Sequence, residues 1–357
     1  MKLLIVYNKV WPYREKIFEI INEKYDLTVA YTDPKFLNKK YPYKTVFTPG
    51  KQVGPFFFHK DSLHKLCAQY DAVIGLYELR WLRLMALMLN PWRKYSMSFW
   101  GIGVSASYSN KFDDKKQWDF VRNFFGKRAE SLIFYSDYPK TKFVQAGFSP
   151  DKIFVANNTT YVSPVNGLVA ERNTFLFVGT LYKEKGINIL LEAYNNIDIP
   201  REQLPVLNII GDGPERPAIE KWVQEQGLED KVFLHGAIYD SEILKTYYTK
   251  ALACISPNQA GLSVLTSMGY ATIFVTEKNA ITGGEVLNIT NMENGIIYEG
   301  GTAELTAQMS WIIANKEEVI RMGKSAREHY KNNRTPEQMA NSIMGAVEYA
   351  LKKKKHA

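Results

Sequence analysis

Three glycine-bearing turns in the second half of the chain carry the residue types best suited to chemistry. Gly179-Thr180-Leu181-Tyr182-Lys183-Glu184-Lys185-Gly186, Gly211-Asp212-Gly213-Pro214 and the stretch 256–269 each follow an apolar, strand-like run and lead into a helix-like one. The backbone N–H groups of such turns, with the positive end of the next helix, suit an anion. Lys183 and Lys185 add ammonium groups to the first turn. An ammonium at that place can hold a diphosphate and stabilise the charge that builds up as it departs. Taken singly, each glycine reads as a turn and each lysine as a solvated charge. Their convergence on one expected sheet edge is what indicates a nucleotide or phosphate site. Neither a Gly-x-Gly-x-x-Gly fingerprint nor a Walker-type loop occurs, which argues against a dehydrogenase or an ATPase.

The elements that must position these turns alternate in type. Residues 174–178, 204–210, 232–235, 251–256 and 271–276 read as strands, separated by helical patterns at 187–194, 216–226 and 241–250. The first half repeats the scheme: a strand at 2–7, a helix at 13–21 and a strand at 26–31 form a βαβ opening, with further strands at 45–48, 71–75, 94–100, 131–136 and 152–156. Residues 76–89 are apolar almost all round and read either as a core helix or as a helix whose Arg80, Arg83 and exposed aromatics touch a membrane surface. Ser163-Pro164-Val165-Asn166-Gly167 is the expected linker. Three helices end the chain, and Thr335 with Pro336 and Gln338 predicts a capping box at the start of the last. Two α/β series in succession predict two Rossmann-like domains, 1–165 with 336–357 and 166–335.

With 357 residues, 46% hydrophobic and 23% charged, the chain is an ordinary globular one with room for two cores. Its longest apolar run, 84–89, is too short to span a bilayer, and residues 1–7 enter a strand without a signal-peptide pattern, so a cytoplasmic protein is expected. Cys67 and Cys254 are too few for a disulfide framework or a cysteine metal site. Residues 1–165 carry 25 Lys+Arg against 14 Asp+Glu, whereas 166–357 carry 20 against 23. The basic half suits an anionic membrane leaflet or a phosphorylated substrate; nucleic acid ranks lowest, since no DNA- or RNA-binding signature is present.

Several motifs resemble one family. Phe177-Val178-Gly179-Thr180-Leu181 with Lys185-Gly186, Ile209-Ile210-Gly211-Asp212-Gly213-Pro214, Gly261-Leu262 through Met268 and Asn294-Gly295-Ile296-Ile297-Tyr298 are similar, in order, to the C-terminal half of glycosyltransferase family 4. Tyr13-Arg14, Trp100-Gly101-Ile102-Gly103 and residues 152–158 extend the likeness loosely into the first half. The resemblance implies an α/β, GT-B fold: two Rossmann-like domains facing a central cleft, with the C-terminal helix crossing back to the first. It further implies retaining, metal-independent transfer of a sugar from a nucleotide diphosphate, needing no cofactor, with the donor on the second domain and the acceptor on the first. By that resemblance Lys185 contacts the diphosphate and Gly179 lies beside it, with Thr180 where an arginine is usual. Gly211, Asp212 and Gly213 approach the base, and Gly261, Leu262 and Ser263 line the diphosphate. The two family glutamates fall on Asn258 and Thr266, and a frequent histidine on Ile102, so three polar partners are replaced. Asn258 and Thr266 retain neutral hydrogen-bonding groups. Trp100, Gly101, Ile102 and Gly103 would face the acceptor.

Glu285, in a glycine loop after a late strand, is the remaining acid for the nucleotide or sugar; it reads equally as a carboxylate that favours a helix N-terminus. Asp113 and Asp114 could belong to the acceptor face or to a solvated loop, and His59 and His235 read as structural. The expected function is a retaining glycosyltransferase of surface polysaccharide synthesis, such as lipopolysaccharide or capsule. Its acceptor would be a glycan or lipid-diphosphate-linked glycan, met at an anionic membrane surface by a cluster of Trp81, Arg83, Trp92 and Arg93. The alternative is a catalytically weak paralogue that binds nucleotide sugar or partners another transferase.

Overall fold

The structure is a computed structural model that describes residues 1–105, 112–113, 116–165 and 171–355. The chain forms two compact units, Met1–Thr159 with Thr335–Ala357, and Thr160–Arg334. Asp114, Asn166 and Gly167 lie outside the described residues. The Ser163 end of the expected linker belongs to the second unit instead. Its N–H donates to the Tyr270 hydroxyl at 3.1 Å and its Oγ lies 2.9 Å from the Ser241 hydroxyl, which buries it.

In the first unit, β1 (Lys2–Val6), α1 (Pro12–Lys24) and β2 (Asp26–Tyr31) form the opening βαβ. There follow β3 (Lys44–Phe47), β4 (Gly50–Val53), β5 (Phe56–His59), α2 (Leu63–Cys67), β6 (Ala72–Leu76), α3 (Leu82–Ala86), β7 (Ser96–Gly101), α4 (Asp119–Arg128), β8 (Ser131–Phe134), α5 (Asp137–Gln145) and β9 (Ile153–Val155). Seven strands make one parallel sheet in the order β3-β2-β1-β6-β7-β8-β9. Strands covered on both faces read as continuous apolar runs, and Leu3 to Val6 are accordingly wholly buried. The C-terminal helix, Pro336–Lys355, belongs to this unit and packs on α1, β7 and β8. Its stripe of Met339, Ala340, Ile343, Ala346, Val347 and Ala350 follows the helical period, which is what lets it cover the sheet. The capping box at its start is formed: Gln338 N–H donates to Thr335 Oγ1 at 3.3 Å, and Thr335 N–H to Gln338 Oε1 at 2.8 Å.

One local expectation fails, and one element was not expected. Residues 76–89 are not one helix, because Leu76 still pairs with Trp100 as the end of β6; only α3 and a single 3₁₀ turn at Leu87–Leu89 are helical. The segment 50–59 is an antiparallel hairpin turned by Gly54-Pro55, with Gly54 at φ 56°. Both thiols are buried, which pushes Cys67 up to about 12 and Cys254 to about 11.

The second unit runs β10 (Thr174–Val178), α6 (Ile187–Asn195), β11 (Val206–Ile210), α7 (Arg216–Glu225), β12 (Val232–Leu234), α8 (Ser241–Lys250), β13 (Ala251–Ile255), β14 (Gln259–Ala260), α9 (Ser263–Gly269), β15 (Ile273–Glu277), β16 (Ile281–Thr282), β17 (Gly295–Tyr298), α10 (Gly301–Ala314) and α11 (Lys316–Asn333). Its six-stranded parallel sheet has the order β12-β11-β10-β13-β15-β17. The chain therefore moves outward from β10 on one side, returns, and moves outward from β13 on the other. That reversal sets a switch point between β10 and β13, where an open α/β sheet leaves a crevice at its carboxyl edge.

Candidate functional site

Two of the three glycine turns leave the strands that flank the switch point, and the third leaves β11 next to them. The turns after β10 and β11 are joined backbone to backbone. Gly179 N–H donates to Ile210 O at 2.9 Å, Leu181 N–H to Asp212 O at 3.0 Å and Glu215 N–H to Leu181 O at 3.1 Å. So close an approach requires glycine: a Cβ on Gly211 would stand 1.9 Å from Gly179 O, and one on Gly213 2.6 Å from Leu181 O. Asp212 turns its carboxylate back to accept from Gly213 N–H at 2.8 Å, which stiffens the turn, and Thr180 stays exposed beside it.

The turns after β10 and β13 meet through Lys185 and Asn258. Asn258 N–H donates to Lys185 O at 3.3 Å, and its side chain lies over Gly186, where a Cβ would come within 2.7 Å of Nδ2. Gly186 also has φ 70°, so its position is doubly restricted to glycine. The Lys185 ammonium lies over Gly179, 3.2 Å from where a Cβ would be. It is half-buried; burial pushes its pKa below the ordinary lysine value, and among the described residues no carboxylate counters that shift. Lys183, two residues earlier, is exposed. A partly desolvated cation above open glycine backbone is an arrangement an anion would complete.

Across the crevice, Gly261 has open space where a side chain would be, and Leu262 and Ser263 lead into the first turn of α9, where Val264 N–H donates to Gly261 O and Thr266 N–H to Leu262 O, both at 3.0 Å. Thr266 donates its hydroxyl to Leu262 O at 3.2 Å, so the group that stands at a family glutamate position is engaged with its own helix. Glu285 is brought to the same turn by a feature the sequence did not reveal. The two-residue strands β14 and β16 pair in parallel, Ala260 with Thr282, and fasten the 282–288 loop beside Gly261. The buried Glu285 carboxylate accepts from Gly283 N–H at 2.9 Å and lies 3.4 Å from the Thr282 hydroxyl, while Gly284 turns the chain at φ 113°. Asn288 and Asn294 brace this loop: Asn288 Nδ2 donates to Glu285 O at 2.9 Å, and Asn294 Nδ2 to Asn288 O at 3.1 Å.

In the first unit, Trp100 is wholly buried between Tyr7, Phe18 and Tyr135, and so serves the core. Gly101 packs against Tyr77, and Gly103, at φ 79°, against Phe134 and Pro139, which leaves Ile102 as the half-exposed member of the four. Arg14 is the unexpected feature here. It is 2% exposed, with its guanidinium 5.0 Å from the ring centroids of Tyr13, Trp100 and Tyr135. Its Nη2 donates to Asn158 Oδ1 at 2.8 Å and its Nη1 to Met339 Sδ at 2.9 Å. Asp113 is buried and held by Lys142 at 2.6 Å and by the Tyr138 hydroxyl at 2.8 Å. His59 is buried against Phe57 and Trp81, and desolvation lowers it to about 4. His235 bonds Asn208 and Tyr247. The expected aromatic and basic cluster is divided. Trp81 is buried and Arg93 is buried in an ion pair with Glu130 at 2.8 Å, while Arg83 and Trp92 remain at the surface. Among the described residues no helix is long and apolar enough to cross a membrane.

Residues 161–329, nearly the whole second unit, match the family described as glycosyl transferases group 1. The chain is similar to the O-antigen chain mannosyltransferase C of Escherichia coli, 24% identical over 187 residues, which are 51% of this chain and 48% of that protein. It is also similar to the D-rhamnosyltransferase WbpZ of Pseudomonas aeruginosa, 26% identical over 161 residues, 44% of this chain and 40% of that one. The matched stretches thus span about half or less of these curated relatives. Among solved structures, Anabaena HepE in complex with UDP superimposes with a TM-score of 0.71 at 16% identity, covering 98% of this chain and 100% of that one. The fold is GT-B.

Proposed function

We propose, from the premise that residues 161–329 are a group 1 glycosyl transferase module, that the chain moves a sugar from a nucleotide-diphosphate donor to a glycan or lipid-diphosphate-linked glycan. The relatives named as O-antigen mannosyltransferase and rhamnosyltransferase support bacterial surface polysaccharide synthesis as the setting. The observation that carries this reading is Lys185: a half-buried ammonium with no opposing carboxylate among the described residues, over Gly179, at the switch point of the sheet.

The donor diphosphate lies against Lys185 and the backbone of Gly261, Leu262 and Ser263. The bond from the anomeric carbon to the diphosphate oxygen breaks on the same face on which the acceptor hydroxyl forms its new bond, giving retention. The hydroxyl proton passes to the departing diphosphate, whose charge is held by Lys185 and the turns, with no metal required. Gly211, Asp212 and Gly213 face the base. Glu285, on the turn beside Asn258, supplies the carboxylate that positions 258 and 266 lack, while Asn258 and Thr266 meet donor hydroxyls as neutral groups. The acceptor belongs to the first unit, reached from an anionic membrane surface in the cytoplasm.

Incubation with a panel of UDP-, GDP- and other nucleotide sugars, with released nucleoside diphosphate as the readout, tests the reading. Release from one donor that disappears in Lys185→Ala is the expected result. Undiminished release in that variant would remove the assignment.

A further inference from the structure

The β4–β5 hairpin has two unlike faces. Residues directly opposite each other across a hairpin share a face. Phe57 and His59 turn inward onto Trp81, with ring centroids 5.1 and 4.9 Å away. Phe56 opposite Val53, and Phe58 opposite Lys51, turn outward, and all four are exposed. Nothing in the folding of the first unit calls for two phenylalanines and a valine facing water beside a lysine.

The hairpin is continuous with the segment after β6. Phe57 N–H donates to Arg80 O at 2.8 Å, and Arg83 Nη1 to Lys60 O at 3.1 Å. That segment exposes Leu82, Leu89 and Trp92, the last 85% exposed. It also holds a cavity of about 410 Å³ with Ser62, His64, Arg83 and Asn90 in its walls. Asn90 Oδ1, in the cavity wall, accepts from the Trp92 backbone N–H at 3.0 Å. Lys51, Lys60, Arg83 and Lys94 lie along these two stretches, and among the described residues none of them is in an ion pair.

Exposed aromatic and aliphatic side chains interspersed with unpaired cations match the interface of an anionic bilayer: the apolar groups enter the headgroup boundary and the cations meet lipid phosphates. We propose that the outward face of β4–β5 and the 82–94 segment dock the first unit on an anionic lipid surface, with the cavity at Arg83 and His64 receiving a headgroup phosphate. The inference deepens the lipid-linked acceptor reading and rests on it for the reason such a surface would be met.

Flotation of the full chain with vesicles tests it. Vesicles of phosphatidylcholine with phosphatidylglycerol capture the protein at low salt, and vesicles of phosphatidylcholine alone do not. Phe56→Ser with Phe58→Ser, Trp92→Ser and Lys51→Glu each weaken capture about fivefold or more without moving the thermal midpoint. Phe120→Ser, which alters an aromatic 74% exposed elsewhere in the unit, leaves capture unchanged. Equal capture by neutral vesicles, no capture by anionic ones, or equal loss in the Phe120 variant would overturn the proposal. So would a change of oligomeric state in the hairpin variant, which would make the face a protein interface. Nucleotide-sugar release by the same variants stays at the wild-type rate, so loss of docking and failure of the donor reading are separate results.

Discussion

Arg14 in the first unit and Lys185 in the second each stand near the carboxyl edge of a sheet, with no carboxylate in ion-pair contact among the described residues, and the two are treated oppositely. Arg14 of the first unit is enclosed: three aromatic faces, an asparagine oxygen and a thioether sulfur meet its guanidinium. Lys185 of the second unit is half-buried over glycine backbone, with desolvation unopposed by any carboxylate. Neutral protein groups take both terminal nitrogens of the first cation, its buried Nε having no partner among the described residues, and these contacts stiffen the fold. The second is left to be completed from outside, which is how a binding residue differs from a structural one of the same charge.

The sharpest way to break this comparison is to remove each cation and read both activity and stability. Lys185→Ala lowers sugar transfer by about 10²–10³-fold, as for loss of a preorganised charge at a departing group, with thermal stability within ~0.5 kcal/mol of wild type. Arg14→Ala does the reverse: it lowers unfolding free energy by about 2–3 kcal/mol in denaturant melts, through the cavity left among the rings and the lost hydrogen bond to Asn158, and leaves nucleotide binding intact. If both variants lost the same function, the distinction between the two edges would be lost. Asn258→Ala sharpens the donor side, since a neutral group on a donor hydroxyl contributes about 1 kcal/mol; transfer falls about fivefold in steady-state rates.

The smallest effect is that of pH. Lys185 has its pKa lowered by burial from the ordinary 10.5. Below the lowered value the buried charge costs stability, and that cost fades as pH rises through it and is gone above 10.5. Donor binding needs the ammonium, so affinity falls with rising pH earlier than for an exposed lysine. Titration calorimetry across the alkaline range shows this fall in wild type and not in Lys185→Arg, whose guanidinium stays charged.

Much of this was legible in the sequence because parallel strands between helices announce themselves as short apolar runs between glycine turns. Gly179, Gly211 and Gly213 stand out that way, and the structure adds the carbonyl approach that demands the last two. The β4–β5 hairpin was not found, since Phe56-Phe57-Phe58 does not alternate in hydrophobicity and only its pairing separates the inward ring from the outward two. The pairing of β14 with β16 involves two residues on each side, too few for any periodicity, and so the place of Glu285 beside Gly261 could not be read. Arg14 reads from the sequence only as part of a motif, because an arginine in the first turn of a helix is ordinarily solvated and its burial depends on distant rings, Trp100 of β7 and Tyr135 just after β8. Residues 76–89 misled for the opposite reason: an apolar composition looks alike in a strand end, a turn and a short helix.

The central claim is that Lys185 and the turns around it hold a nucleoside diphosphate. Calorimetric titration of UDP and GDP into wild type and Lys185→Ala tests it most directly. The account predicts saturable binding of one nucleotide to wild type and at least about a tenfold weaker constant in the variant, the equivalent of ~1.4 kcal/mol. Equal affinity in the two proteins would contradict it.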